Sequence, residues 1–265
     1  MKVLDFLARH PVFTRLEFAA GACAKPPSPK TVDAHLRHYL TAGRIGRIKR
    51  GVFFAVPPGH SSTRTPVDLL LVASRLSSDA VLAYHSALEA HGYAQSLYEE
   101  FPFLTSLKVR PLRFRGRRFI PVAAPNELKR RQLTDLFVTQ IERNRLTCRV
   151  TSLERTLVDC LDRPDLAGGI EEAWRSLSAI PLLDQEALLQ YVRARARATL
   201  ASKVGFFLET HRQQLSVSDS VLSDLRAMKP LQAHYLVRSA RGRLIGAWNL
   251  IVPTQFIENS QEAIH

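Results

Sequence analysis

The chain has 265 residues, 46% of them hydrophobic and 23% charged, so it is long enough to bury more than one core and is not broadly disordered. Thirty-seven Lys and Arg against 24 Asp and Glu leave a net charge of +13, a field suited to nucleic acid or another polyanion. About half of that excess lies between Met1 and His60, where ten basic side chains meet three acidic ones.

Val3, Phe6 and Leu7 share one face of a first helix between Lys2 and His10, and Thr14 is placed to cap a second that reaches about Ala22. The third helix has the clearest signals. Ser28 is a good N-cap, Pro29 suits the first helical position, and Val32, Leu36, Tyr39 and Leu40 recur as one apolar stripe. The opposite face carries Lys30, Ala34, Arg37, His38 and Thr41, flanked by Thr31 and Asp33. A helix of about 14 residues spans roughly 21 Å, enough to lie in a DNA major groove, and Gly43 suits its C-terminus. Ile45 to Arg50 then alternates, Arg50-Gly51 turns, Val52 to Val56 returns, and Pro57-Pro58 ends the pairing. This hairpin holds Arg44, Arg47, Lys49 and Arg50, which phosphates attract whatever the base sequence. Three helices followed by a basic hairpin is the plan of a winged helix-turn-helix.

The stretch from Pro57 to Pro66 is polar and rich in Pro, Ser and Thr, and reads as a linker. Helices are expected from about Val67 to Leu76 and from Asp79 to His91, the latter closed by Gly92. Short strands follow between Phe103 and Ala123, with a turn at Arg115-Gly116. The side chains Arg110, Arg113, Arg115, Arg117 and Arg118 make this a second basic hairpin, either a further DNA contact or a solvated rim. Thr151 and Glu154 form a capping-box pattern ahead of a helix with Leu153, Leu157, Val158 and Leu161 on its buried face. Further helices are expected at Ile170 to Leu177, Asp184 to about Leu200, and around Val204, Phe207 and Leu208. The tail reads as two strands joined around Gly242. The expected fold class is α+β. A winged helix-turn-helix covers 1–58, a linker 59–66, and a larger mixed α/β region 67–265, with a second break near 200.

In order and spacing, several segments resemble the AbiEi-type antitoxins, the transcriptional-regulator half of bacterial type IV toxin–antitoxin (abortive infection) systems. They are GRIGRIKRGVFFAVP, HSALEAHGY from His85 to Tyr93, VTSLERTLVDCLDRPDLAGGIEEAW from Val150 to Trp174, KVGFFLE from Lys203 to Glu209, and WNLIVP. The resemblance implies an N-terminal winged helix that binds inverted repeats upstream of its operon and represses it. It also implies a C-terminal region that counteracts a nucleotidyltransferase toxin. By the same resemblance Lys30, Thr31, Arg37 and His38 face the DNA groove, and Arg44, Arg47, Lys49 and Arg50 form the wing. The loop from Cys23 to Pro29 departs from the pattern, being proline-rich and longer than a tight helix-turn-helix turn.

No catalytic constellation assembles from the sequence, and no cofactor or metal is expected. Cys23, His35 and His38 lack a fourth ligand for a structural zinc site. His85-Ser86 has no nucleophile elbow around it, and Gly168-Gly169 follows no strand and lacks the Lys-Ser/Thr of a phosphate loop. Asp159, Asp162 and Asp165 read as structural. Arg193, Arg195 and Arg197 read equally as a nucleic-acid contact or an exposed helix face. A DNA-binding autorepressor and antitoxin is the leading reading. The alternatives are a nucleic-acid enzyme guided by a winged helix, and a repressor whose C-terminal region grips a protein. There is no apolar run of bilayer length, no signal-peptide core in MKVLDFLARH, and only three scattered cysteines (Cys23, Cys148, Cys160), so a cytoplasmic location is expected.

Overall fold

A computed structural model describes residues 3–22, 28–237 and 241–257. The chain opens with α1 (Val3–Arg9), β1 (Val12–Thr14), α2 (Arg15–Gly21), α3 (Pro29–Thr41), β2 (Ile45–Lys49) and β3 (Val52–Ala55). Next come α4 (Leu69–Arg75), β4 (Val81–Leu82), α5 (His85–His91), β5 (Glu100–Leu104), β6 (Leu112–Phe114) and β7 (Arg117–Val122). They are followed by α6 (Asn126–Arg130), β8 (Val138–Arg143) and β9 (Leu146–Thr151). The rest is mainly helical: α7 (Leu153–Asp162), a 3-10 turn at Pro164–Ala167, α8 (Ile170–Ser178), α9 (Gln185–Arg195), α10 (Ala198–Thr210) and α11 (Asp219–Ala227). Three short strands close it, β10 (His234–Tyr235), β11 (Arg243–Ile245) and β12 (Leu250–Val252).

The fold is mixed α+β, and it packs as two units. One comprises Met1–Leu82, Glu99–Ala123 and Thr139–Val150; the other comprises Ala83–Tyr98, Ala124–Val138 and Thr151–His265. This division does not follow the sequence boundaries at 58, 66 and 200. Pro57-Pro58 ends a strand without ending a packed body, because the first unit runs on through α4 and β4 and is completed by later strands.

In the first unit, β1, β3 and β2 form an antiparallel sheet in that order. Phe6, Phe13, Phe18, Val32, Leu36, Ile45 and Phe53 bury its inner face against α1, α2 and α3. Phe6 meets Phe13 and Phe18 edge-on at 5.3 and 5.5 Å, the geometry aromatic quadrupoles favour. Both expected caps form. Glu17 N donates to Thr14 Oγ1 at 3.1 Å while Thr14 N donates to Glu17 Oε2 at 2.7 Å, and Thr31 N donates to Ser28 Oγ at 3.2 Å. Gly43, at φ +64, ends α3 in the left-handed region where a side chain is strained.

The same unit holds a six-stranded sheet ordered β6-β7-β5-β4-β9-β8. The expected helix from Asp79 to His91 begins only at His85. Val81 and Leu82 are instead a strand, pairing with Leu104 and Phe103 on one side and Leu82 with Val150 on the other. Asp79 is tied to the hydroxyls of Ser77 and Thr105 and to the amide and hydroxyl of Ser106, which anchors it beside that strand. The hairpins β6–β7 and β8–β9 turn through Arg115-Gly116 and Asn144-Arg145, all four residues at positive φ as tight hairpin turns require.

In the second unit the cap of α7 lies one residue later than expected. Ser152 Oγ accepts from Arg155 N, Thr151 ends β9 with its hydroxyl 2.7 Å from that of Thr156, and Glu154 accepts from Asp184 N at 3.1 Å. The long helix expected from Asp184 to Leu200 breaks at Ala196, which is left-handed at φ +48, and restarts as α10. Trp248 is fully buried, its ring filling the space above Gly205 and its Nε1 donating to Glu209 Oε2 at 2.6 Å. The closing sheet is ordered β10-β12-β11, with β10 parallel and β11 antiparallel to β12. Its hairpin therefore turns after Ile245, and Gly242 precedes β11. Among the described residues no helix is long and apolar enough to cross a membrane.

Candidate nucleic-acid interface

Burying Val32 and Leu36 fixes which way α3 faces: Lys30, Thr31, Asp33, Ala34, Arg37 and His38 are all exposed. Thr31 is partly engaged locally, its hydroxyl lying 2.8 Å from that of Ser28. The ring of His38 meets Tyr39 edge-on at 5.2 Å. His35 is likewise exposed, and Cys23 lies outside the described residues. Among the described residues no three His, Cys, Asp or Glu side chains are grouped to hold a metal ion.

An open groove of about 870 Å³ runs between this helix and the β2–β3 hairpin. Arg15, Arg37, Arg47 and Arg50 line it together with one carboxylate, Asp33, over a floor that includes Leu36 and Phe53. Arg15 was not among the expected site residues. Thr14 pairs with Val52, and Arg15 N donates to Gly51 O at 2.8 Å, so the first turn of α2 meets the hairpin tip. From there Arg15 Nε donates to Asp33 Oδ1 at 2.7 Å and its Nη2 to Pro29 O at 2.9 Å. The hydrogen bond from Arg15 holds the Asp33 carboxyl below the usual carboxylate range, outweighing a burial effect, and the charges of Arg15, Arg37 and Arg50 add to it.

Of the four expected wing cations, Arg44, Arg47 and Arg50 are exposed, with Arg47 lying 5.8 Å from the Phe53 ring centre. Lys49 is not available in the same way: its ammonium donates to Leu76 O at 2.7 Å. The cause is a bulge. Arg47 pairs with Phe53 and Lys49 with Val52, so Ile48 is an extra residue and Lys49 moves to the opposite face of the sheet. Burial there pushes its ammonium pKa below the ordinary value.

Three arginines of the second basic hairpin are engaged locally, two of them by carboxylates. Arg115 donates to the carbonyls of Ser62 and Thr65 and stacks 5.0 Å from Phe54 and 5.2 Å from Phe114. Arg117 pairs with Glu99 at 3.3 Å, and Arg118 with Glu100. Arg110 and Arg113 are exposed, with no ion pair among the described residues.

The second unit holds a different polar centre. Asp159, 1% exposed, accepts from Tyr191 Oη at 2.8 Å, Arg195 Nη1 at 2.6 Å and Arg155 Nε at 3.3 Å. Arg155 also donates to Thr134 O and Leu136 O. Asp162 takes Arg195 and Arg197 at 2.5 Å each, and Arg193 pairs with Asp224 at 2.8 Å. Arg193, Arg195 and Arg197 are thus all paired with carboxylates; Arg193 and Arg197 remain exposed, while Arg195, 3% exposed in its side chain, is not part of an open face. His85 is buried with both ring nitrogens unbonded, 3.8 Å from Glu172.

No family model and no curated protein matches the chain. Among solved structures it is similar to the crystal structure of the RV2827C protein from Mycobacterium tuberculosis, at 18% identity and a TM-score of 0.59, over 99% of this chain and 93% of that one. That likeness is one of fold.

Proposed function

We propose that this protein is a cytoplasmic DNA-binding autorepressor and antitoxin of the AbiEi kind, with α1 to β3 as its winged helix-turn-helix. The observation that carries the reading is the groove between α3 and the hairpin, where four arginines converge on one exposed surface. The order α1-β1-α2-α3-β2-β3 ends in a helix followed directly by a two-stranded hairpin, the order in which a winged helix offers one element to the major groove and another to the backbone. On this reading Lys30, Thr31, Arg37 and His38 face the major groove, Lys30 and Arg37 meeting the phosphates that border it as well as base edges, while Arg44, Arg47 and Arg50 face the backbone and Arg15 holds Asp33. The second unit is assigned to antagonism of a nucleotidyltransferase toxin, on the sequence resemblance alone.

A mobility-shift titration with duplex DNA from upstream of the protein's own gene tests this. An inverted-repeat duplex should shift at concentrations at least about 10³-fold below those needed for unrelated DNA. Equal affinity for both, or no shift, overturns the repressor reading. Co-expression with an adjacent nucleotidyltransferase-like gene tests the antitoxin half: growth should be restored only when the full chain is present.

A further inference from the structure

The arginine groove contains one residue that works against a purely phosphate-binding role. Asp33 sits on the hairpin side of α3, its side chain 55% exposed, between Arg15 and the stripe formed by Lys30 and Arg37. A phosphate placed here gains from four guanidinium groups but is repelled by this carboxylate. Oδ1 is held by Arg15, while Oδ2 has no hydrogen bond among the described residues. The arrangement calls for an occupant that brings phosphate oxygens to the arginines and a hydrogen-bond donor to Asp33. A DNA major groove supplies both: cytosine displays its N4 amine there with no acceptor beside it, adenine displays its N6 amine next to the N7 acceptor, which repels a carboxylate, and guanine and thymine display acceptors at the matching positions.

We propose that Asp33 is a specificity-determining residue, accepting a hydrogen bond from the exocyclic amine of a cytosine in each half-site. The proposal rests on the DNA-binding reading above. Arg15 positions the carboxylate by holding one oxygen, and its bond to Pro29 O ties it to the first turn of α3, so the open oxygen is presented from a fixed base.

The test is selection from a randomised duplex library with the full chain, comparing wild type, Asp33→Ala and Asp33→Asn. Wild type should prefer cytosine at one position of each half-site. Asp33→Ala should flatten that position alone, reducing discrimination about tenfold or more, with unrelated DNA bound as tightly as before or tighter. Asp33→Asn should turn the preference toward adenine, whose N6 and N7 match an amide. Asp33 is exposed and Arg15 half-buried, and thermal unfolding checks that each variant keeps its fold. An unchanged preference in Asp33→Ala, or one weakened equally at every position, overturns the role of Asp33 while leaving DNA binding intact. Failure of the wild type to enrich any site overturns the DNA-binding reading, and this proposal with it.

Discussion

Lys49 and Arg50 are adjacent in sequence, yet the bulge at Ile48 sends them to different tasks, and salt dependence separates those tasks. Five exposed cations are available to phosphates without breaking an internal contact: Lys30, Arg37, Arg44, Arg47 and Arg50. If each neutralises one phosphate, log K against log salt has a slope of about −4.5 per protomer, and affinity falls about 500-fold between 50 and 200 mM. Replacing Arg50 by Ala removes one contact, so the slope becomes about −3.6 and the fall over the same range about 150-fold. Replacing Lys49 by Met keeps the apolar stem and deletes the donor to Leu76 O. It should leave the slope at about −4.5 and lower folding stability by about 1 kcal/mol. Fluorescence anisotropy of a labelled operator at several salt concentrations reads the first quantity, and urea unfolding reads the second. If Lys49→Met flattens the slope as much as Arg50→Ala does, the reasoning from the bulge is refuted.

Other consequences concern stability. Asp159→Ala leaves Arg155 and Arg195 buried without their shared carboxylate and should destabilise by about 3–5 kcal/mol in denaturant unfolding; a loss below about 1 kcal/mol would mean the network is not desolvated. His85 and His211 are both held below the ordinary histidine pKa of 6.5, in each case chiefly by burial. The unfolded chain therefore binds more protons, and their contribution is fully present above about pH 6.5 and lost as pH falls toward the folded values. Stability measured from pH 7.5 to 5.5 should fall less steeply in a His85→Gln, His211→Gln double variant than in the wild type; equal steepness would assign the acid loss to other groups. Gly205→Ala would put a methyl 2.1 Å from the Trp248 ring and should cost about 1–3 kcal/mol, read as a lowered Tm.

Where side-chain chemistry and local backbone agree, the sequence reading holds at single-residue resolution. Ser28-Pro29 opens α3, Thr14 caps α2, and Gly92 closes α5 in the left-handed region. What stayed hidden depends on partners far along the chain. The three residues of β1 and the two of β4 carry no periodicity of their own and are strands only because Phe53 and Leu104 lie opposite them. The break at Ala196 falls on a residue with high helix propensity, so no glycine or proline marks it. For the site, the exposed face of α3 followed from the spacing of Val32 and Leu36. Arg15 did not, because its place beside the hairpin tip follows from the register of β1. Lys49 was assigned to the wing for its place in the basic hairpin and by the family resemblance, and the extra residue at Ile48, which turns it to the other face, leaves no mark in the sequence.

The contact between Phe54 and Arg115 also limits how the N-terminal elements can be separated from the rest of their unit. Phe54 stands over Gly46, where any Cβ would lie within 2.2 Å of the ring, and its ring centre is 5.0 Å from the Arg115 guanidinium carbon. Arg115 in turn holds the carbonyls of Ser62 and Thr65, Lys49 reaches Leu76 O, and Glu17 pairs with Arg75 at 2.8 Å. Residues 1–58 are therefore not a bead on a string. Cut away, they would expose an aromatic face and lose two polar anchors at once, Lys49 to Leu76 O and Glu17 to Arg75. A chimera that exchanged the N-terminal elements between relatives would have to carry the small residue at 46, the aromatic at 54 and the arginine at 115 as one inherited set.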